Sequence, residues 1–223
     1  MAHWEHREEP KWKQFRFKQP YAKGLKRLRD EVLAKTDFDP ATLWQWGTMQ
    51  AMAIIEILKS CEAEFGERGQ QVIYAALHRI GRDIGQQILD GATMPEDLSE
   101  AEFVSFYATV INRIVYASLE DPRIDGPDRA TFDIVWCPHQ DHYGPFDCRV
   151  QRYFVQGMID AAREFSGRFD FEVRFDSTIP AGAKTCHFTM WQGGPGEQAA
   201  WQAYTAALEK KALEMAQRER RAE

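Results

Sequence analysis

Apolar positions in the first half of the chain recur every three or four residues, the mark of amphipathic helices. Tyr21–Ala34 reads as a basic amphipathic segment. Asp39-Pro40 offers an N-cap with proline in the first turn. From about Ala41 to Glu64 the chain carries Met49, Met52, Ile54, Ile55, Ile57 and Leu58, apolar on most sides. That pattern predicts a helix at the centre of the fold. Beyond Gly66 and Gly69, the stripe Ile73, Leu77, Ile80, Ile84 and Ile88 predicts a helix over Gln70–Leu89. Gly81 and Gly85 lie one turn apart on it. A mid-helix glycine costs about 1 kcal/mol against alanine, so a packing reason is expected: close helix contact, or room for a ligand. Phe103, Phe106, Tyr107, Val110, Ile111, Ile114 and Val115 predict a fourth helix, ending near Asp121-Pro122.

After Asp125-Gly126-Pro127 the period falls to two, as in strands. Phe132, Ile134 and Trp136 form one alternating set. Phe169, Phe171, Val173 and Phe175 form a second, and Cys186, Phe188 and Met190 a third. Asp147 to Phe165 regains helical spacing through Val150, Phe154, Met158 and Ala161, and a last helix follows Gly193-Gly194-Pro195-Gly196. The expected fold is α+β: a helical half (21–120) packed on a small antiparallel sheet from a β-α-β-β-α half (128–217). The sheet half is too small to cover its own sheet, so the two make one domain, preceded by an arm over residues 1–20.

Composition narrows the classes of function. With 223 residues, 44% hydrophobic and 13% aromatic, a packed core is expected. The net charge of −6 argues against a general nucleic-acid binder. Residues 1–30 nevertheless hold nine Lys/Arg against four Asp/Glu. The arm, with Trp4, Trp12, Phe15 and Phe17, either grips a partner or straps its own domain, and its frequent aromatics favour the strap. The basic arm and apolar helices would also suit a homodimer. The longest apolar run, Val72–Leu77, is far too short to span a bilayer, and no export signal is visible, so a cytoplasmic protein is expected. Its four cysteines are then reduced thiols.

Candidate chemistry concentrates between a strand and a helix, in Cys137-Pro-His-Gln-Asp-His-Tyr-Gly-Pro-Phe-Asp-Cys148. Three readings stand together. Cys137 or Cys148 could be a nucleophile activated by His139 or His142, with Asp141 or Asp147 orienting the imidazole and a helix start favouring the Cys148 thiolate. Cys137, His139, His142 and Cys148, with Cys186 or His187, could instead hold a divalent metal such as zinc, although the spacing matches no standard zinc motif. Each thiol could also simply pack as a small hydrophobe, the preferred reading for Cys61. Strand parity turns Cys186 inward with Phe188 and Met190, and His187 outward. Glu56, within Ile-Ile-Glu-Ile-Leu, would be costly to bury without a partner. It either lines a pocket or marks a helix edge, pairing there with an arginine such as Arg79. Arg149 and Arg152 offer guanidiniums for a substrate carboxylate. Arg152, Glu56 and Tyr143 are the substrate-binding candidates. His78 and Arg82 are expected to face solvent.

Cys137-Pro138 after a strand, Cys148 at a helix start and Gly182-x-x-x-Cys186-x-Phe188 in a hairpin resemble the L-2-amino-thiazoline-4-carboxylic acid hydrolase family. The glycine-bearing helix Gln70–Leu89 is similar to the corresponding helix there and in related vinyl-reductase-type ligand-binding domains. The resemblance spans roughly residues 65–192. It implies a helical bundle capped by a small antiparallel sheet, with a pocket between, and hydrolytic opening of a cyclic amidine-like C–N bond. Cys137, Cys148 and Cys186 are the residues carried over. The insert His139-Gln-Asp-His142 departs from the pattern. The alternative is a module that binds a small molecule or metal without chemistry.

Overall fold

The computed structural model describes residues 15–166, 171–192 and 195–222. Trp4, Trp12, Phe169 and Gly193-Gly194, named above, lie outside that set. Helix α1 (Ala22–Arg27) continues into a π-helical turn, Leu28–Val32. Then come α2 (Ala41–Phe65), α3 (Glu67–Leu89) and α4 (Glu100–Val115). Strands β1 (Leu119–Gly126) and β2 (Arg129–Trp136) form a hairpin. Helix α5 (Arg149–Ser166), β3 (Glu172–Ser177), β4 (Cys186–Trp191) and α6 (Pro195–Ala222) complete the chain. The fold is α+β, with a four-stranded antiparallel sheet of order β1-β2-β4-β3.

Sheet register aligns the apolar faces. Ala130, Phe132 and Ile134 of β2 stand opposite Met190, Phe188 and Cys186 of β4, while Val173 of β3 faces Met190. This face buries against α4 and α5 through Phe103, Tyr107, Ile111, Met158 and Ile159. Phe132 stacks on Phe188 with centroids 4.6 Å apart. A second, smaller core joins α2 (Ile55, Leu58), α3 (Leu77) and α5 (Val150, Tyr153). Helix α5 therefore belongs to both cores.

Two elements differ from the expectation. Helix α4 stops at Val115, and Asp121-Pro122 lies inside a strand, β1, that the periodicity did not reveal. The second half is thus β-β-α-β-β-α. Strand β1 is an edge strand, where a proline's missing N–H costs no ladder bond, and its other residues are mostly polar. Helix α2 is not central. It buries Ile55, Leu58 and Glu62, while Trp46 and Met49 are each 61% exposed and Trp44, Ile57 and Phe65 also reach the surface. Composition alone could not distinguish a helix apolar all round and buried from one packed on a single side.

The described part of the arm lies on its own chain. Phe15 is buried against Phe106, centroids 4.4 Å apart, with Phe17 beside them at 5.2 Å from Phe106. Backbone bonds between Arg16 and Thr93 fasten the segment. Helix α4 begins with a capping box: Ser99 Oγ accepts from Glu102 N, and Glu102 Oε2 accepts from Ser99 N at 2.9 Å. His78, expected in solvent, instead pairs with Asp160 across the α3–α5 contact at 2.7 Å.

The glycines of α3 mark that contact. A Cβ on Gly81 would stand 2.0 Å from the Phe154 carbonyl oxygen, and one on Gly157 would stand 2.0 Å from that of His78. The helices cross backbone to backbone, so the glycines serve close approach and not a ligand. Gly81→Ala is expected to destabilise the fold by about 2 kcal/mol or more through overpacking. A shift of the urea midpoint at unchanged slope checks this, and an unchanged midpoint would refute the contact.

Candidate functional site

The sheet register brings the thiols together. Cys186 opens β4 and pairs with Ile134, three residues before Cys137 leaves β2. The chain then makes tight turns, with Gln140 N donating to Cys137 O and Tyr143 N to His139 O. Asp147 Oδ2 accepts from Gly144 N at 2.9 Å, closing the loop so that Cys148 stands immediately before α5. Each thiolate would feel its neighbours: charges on Cys186 and Cys137 both act on Cys148, and Cys186 acts on Cys137. Tyr116 and Tyr143 feel Cys148 and Cys137 as well. The three cysteines, separate in sequence, thus form one neighbourhood with two tyrosines.

Burial keeps these thiols protonated. Cys148 is pushed up to about 12, mainly by loss of solvent and then by Cys186, Cys137 and Asp147. Burial also raises Cys137, against bonds from the backbone N–H groups of His139 and Gln140. It raises Cys186 too, where the Ile179 N–H donates to Sγ at 3.2 Å. Tyr143, buried, is likewise pushed up to about 12, although Gln151 Nε2 donates to its hydroxyl at 3.3 Å. His139 moves the other way: burial first, then His142, lowers it and favours the neutral imidazole. Its ring stacks on Tyr143, centroids 4.9 Å apart, and its buried Nδ1 has no hydrogen-bond partner.

Among the described residues no hydrogen bond joins the imidazole of His139 or His142 to a thiol. His142 is exposed and leans towards Trp44, while Asp141 points to solvent without orienting either ring. The set Cys137, His139, His142 and Cys148 is a correction: no group of three or more His, Cys, Asp or Glu side chains among the described residues is arranged to hold a metal ion. His187 faces away from the core, 3.1 Å from Asp133, as parity required. Glu56 is a second correction. It is exposed on α2 and lines none of the three cavities described here. Cys61 is partly buried on α2 and lines none of them either.

The buried carboxylate is Glu62, fully inaccessible and bound by Arg149 Nη2 at 2.5 Å and Nε at 3.2 Å. Gln70 Nε2 donates to Glu62 Oε1 at 2.8 Å and to the Glu209 carbonyl at 3.1 Å, adding α3 and α6 to the junction. Arg149 also donates to the Phe146 carbonyl at 2.9 Å, and Asp147 is held by Lys59 at 3.3 Å. Arg149 is therefore a structural clamp. Glu62 sits on the same helix as Glu56 and is its better-hidden counterpart. The signal for it was the arginine at a helix start far along the chain, which no local pattern connects to α2.

Cys148 opens on a cavity of about 220 Å³. Arg152, Phe175, Thr178, Tyr204, Leu208 and Glu209 form much of its wall. A more polar cavity of about 450 Å³ lies on the other side of Arg152 and Glu209, which border both. A third, about 620 Å³, shares Phe175, Asp176 and Tyr204 with the Cys148 cavity. All three run under α6. Arg152 donates to Thr205 Oγ1 and senses Glu209. Burial raises the Glu209 carboxyl, and Arg152 counteracts it. Glu209 had no sequence signature, because it lies on a mostly exposed helix among other charged residues.

Two outcomes test this geometry. Arg149→Met should destabilise the protein by about 3–5 kcal/mol, since it leaves Glu62 buried without its cation, and the denaturant midpoint measures it. Cys148 should resist iodoacetamide at pH 7, with labelling rising about tenfold per pH unit towards its raised pKa. Rapid labelling of Cys148 at neutral pH, located by mass spectrometry, would contradict the buried, protonated thiol.

No protein-family model matches the chain. It is 50% identical over 217 residues, 95% of this chain and 96% of the other, to an uncharacterized protein of Archaeoglobus fulgidus. Near-complete coverage at that identity means that this chain and the archaeal protein belong to one family.

Proposed function

We propose that the chain is a hydrolase that opens a small cyclic amidine- or amide-like C–N bond in the cavity beside Cys148, on a 2-aminothiazoline-4-carboxylate-like substrate. The observation that carries this reading is the pairing of Cys148 and Arg152 in one small open cavity at the edge of a three-cysteine neighbourhood. It agrees with the resemblance of Cys137, Cys148 and Cys186 to the aminothiazoline-carboxylate hydrolases. Arg152 would hold the substrate carboxylate. The electrophile is the sp² carbon between ring heteroatoms. The net reaction adds one water: hydroxyl to that carbon, proton to the departing ring nitrogen. Cys148 either adds first and is released by water, or lies beside the carbon while water adds.

The raised thiol needs a base. Glu209, bordering the same cavity with its carboxyl raised by burial, can accept and return a proton, and so supplies the role first sought in the histidine loop. His139 is neutral but stacks on Tyr143, away from hydrogen-bonding contact with sulfur. One observation favours a second reading. All three neighbouring thiols are held neutral and none is hydrogen-bonded to an imidazole. That environment also suits a module that binds a small molecule without transforming it.

The test is turnover of 2-aminothiazoline-4-carboxylate and a panel of cyclic amidines, amides and lactams, followed by NMR. Hydrolysis is expected to rise with pH above neutrality as the thiolate fraction grows. Cys148→Ser and Glu209→Gln should each lower it by at least about a hundredfold. Binding across the panel with no turnover at any pH would favour the second reading, and unchanged turnover in Cys148→Ser would remove the thiol from the mechanism.

A further inference from the structure

Helix α2 is apolar on two sides, and its own chain covers one of them. Ile55 and Leu58 are buried in the core shared with α3 and α5, and Glu62 meets Arg149 of α5. About half a turn round the helix, Trp46, Met49, Ala53 and Ile57 recur at intervals of three, four and four residues, which aligns them on the opposite side. All four are exposed, Ile57 by 54%, and Leu43 extends the stripe by one turn towards the start of the helix.

The size of this stripe sets it apart from scattered surface hydrophobics. Its five side chains together offer about 500 Å² of apolar surface, and the largest patch on an ordinary monomer measures about 300–600 Å² and is often functional. A standard protein interface buries about 800 Å² on each partner, roughly three-fifths of it apolar. The stripe supplies that apolar share, and the exposed Gln45, Gln50, Glu56 and Ser60 beside it supply a polar rim.

The rim also bears on the class of partner. A helix lying in a membrane interface carries Lys and Arg on its polar face. Between Leu43 and Ser60 the sequence holds one basic residue, Lys59, and it is turned to Asp147 at 3.3 Å. The spacing of the stripe, in contrast, is complementary to itself. In an antiparallel pair related by a two-fold axis between Ala51 and Met52, position 46 faces 57, position 50 faces 53 and position 56 faces 47. Trp46 then packs on Ile57 of the second copy, the small Ala53 leaves room for Met49 and Gln50, and Glu56 stands opposite Gly47, away from any like charge.

We propose that the outer face of α2 is the interface of a two-fold homodimer, with the α2 helices of the two copies packed antiparallel along Leu43, Trp46, Met49, Ala53 and Ile57. This inference stands apart from the reading of the Cys148 cavity and holds whether or not that cavity is catalytic.

Sedimentation equilibrium of the full chain between about 1 and 100 µM tests it. The mass should be twice the 25.8 kDa of one chain, with a dissociation constant in the micromolar range or tighter. Trp46→Lys and Ile57→Glu should each weaken the dimer at least about a hundredfold, since each places an unpaired charge in the interface. Both positions are exposed in the single chain, so the far-UV circular dichroism of each variant should match that of the parent. Mixed in equal amounts, the two variants should pair at least about tenfold more tightly than either does alone. A mixed pair sets the new ammonium against the new carboxylate and keeps the other Trp46–Ile57 contact intact. A monomer at about 100 µM, a dimer that survives both variants, an open series of larger assemblies, or no recovery on mixing would overturn the proposal. A monomer that sediments with phosphatidylglycerol vesicles would overturn it too and assign the face to a membrane surface.

Discussion

The buried ion pair between Arg149 and Glu62 is the constraint on which the site depends. It takes a guanidinium from the first turn of α5 and a carboxylate from α2, and Gln70 adds α3 and the backbone of α6 to the same point. Two charges out of water repay their desolvation only when geometry and further hydrogen bonds satisfy them. Here both conditions hold, because Arg149 also bonds the Phe146 carbonyl and Glu62 receives Gln70. The pair fixes where α5 begins. Cys148 immediately precedes that point and Arg152 lies one turn beyond it, so the position of each candidate group is inherited from one electrostatic junction.

Much of the fold was legible because its signals are local. The stripe of α3, the alternation of β2 and β4 and the inward parity of Cys186 were all read within a few turns or pleats of chain. What was missed required knowledge of neighbours. Pro122 argues against a strand until it is known that the strand lies at an edge. The apolar character of α2 suggested burial, yet only one side meets α3 and α5. Glu56 drew attention through its apolar sequence neighbours, whereas Glu62, flanked by ordinary residues, is the one removed from solvent. The difference is a partner 87 residues away.

The site divides along the same line. The nearness of Cys137 and Cys148 to Cys186 follows from a short strand–loop–helix connection and from sheet parity, but of the three only Cys148 borders one of the cavities described above. The histidines, adjacent to the thiols in sequence, were the natural candidates for proton transfer, but the loop turns them elsewhere: His142 towards Trp44 and His139 onto Tyr143. Groups that border the Cys148 cavity instead come from a helix more than fifty residues downstream, with Tyr204, Leu208 and Glu209 on α6. Sequence proximity joined the histidines to the thiols, but a loop's neighbours in space are set by what packs over it.

The glycine crossing of α3 and α5 carries a consequence for how such a site could diversify. Gly81 and Gly157 each occupy the space where a Cβ would strike the opposite backbone, so the spacing between these helices is set at its minimum. A single methyl there would act as a shim, prising α5 outward along its length and tilting its first turn against the roof provided by α6. Guest size would then change without alteration of any residue that touches the guest. Relatives of this chain that differ at those two glycines would be expected to accommodate molecules of a different girth, even with every wall residue retained.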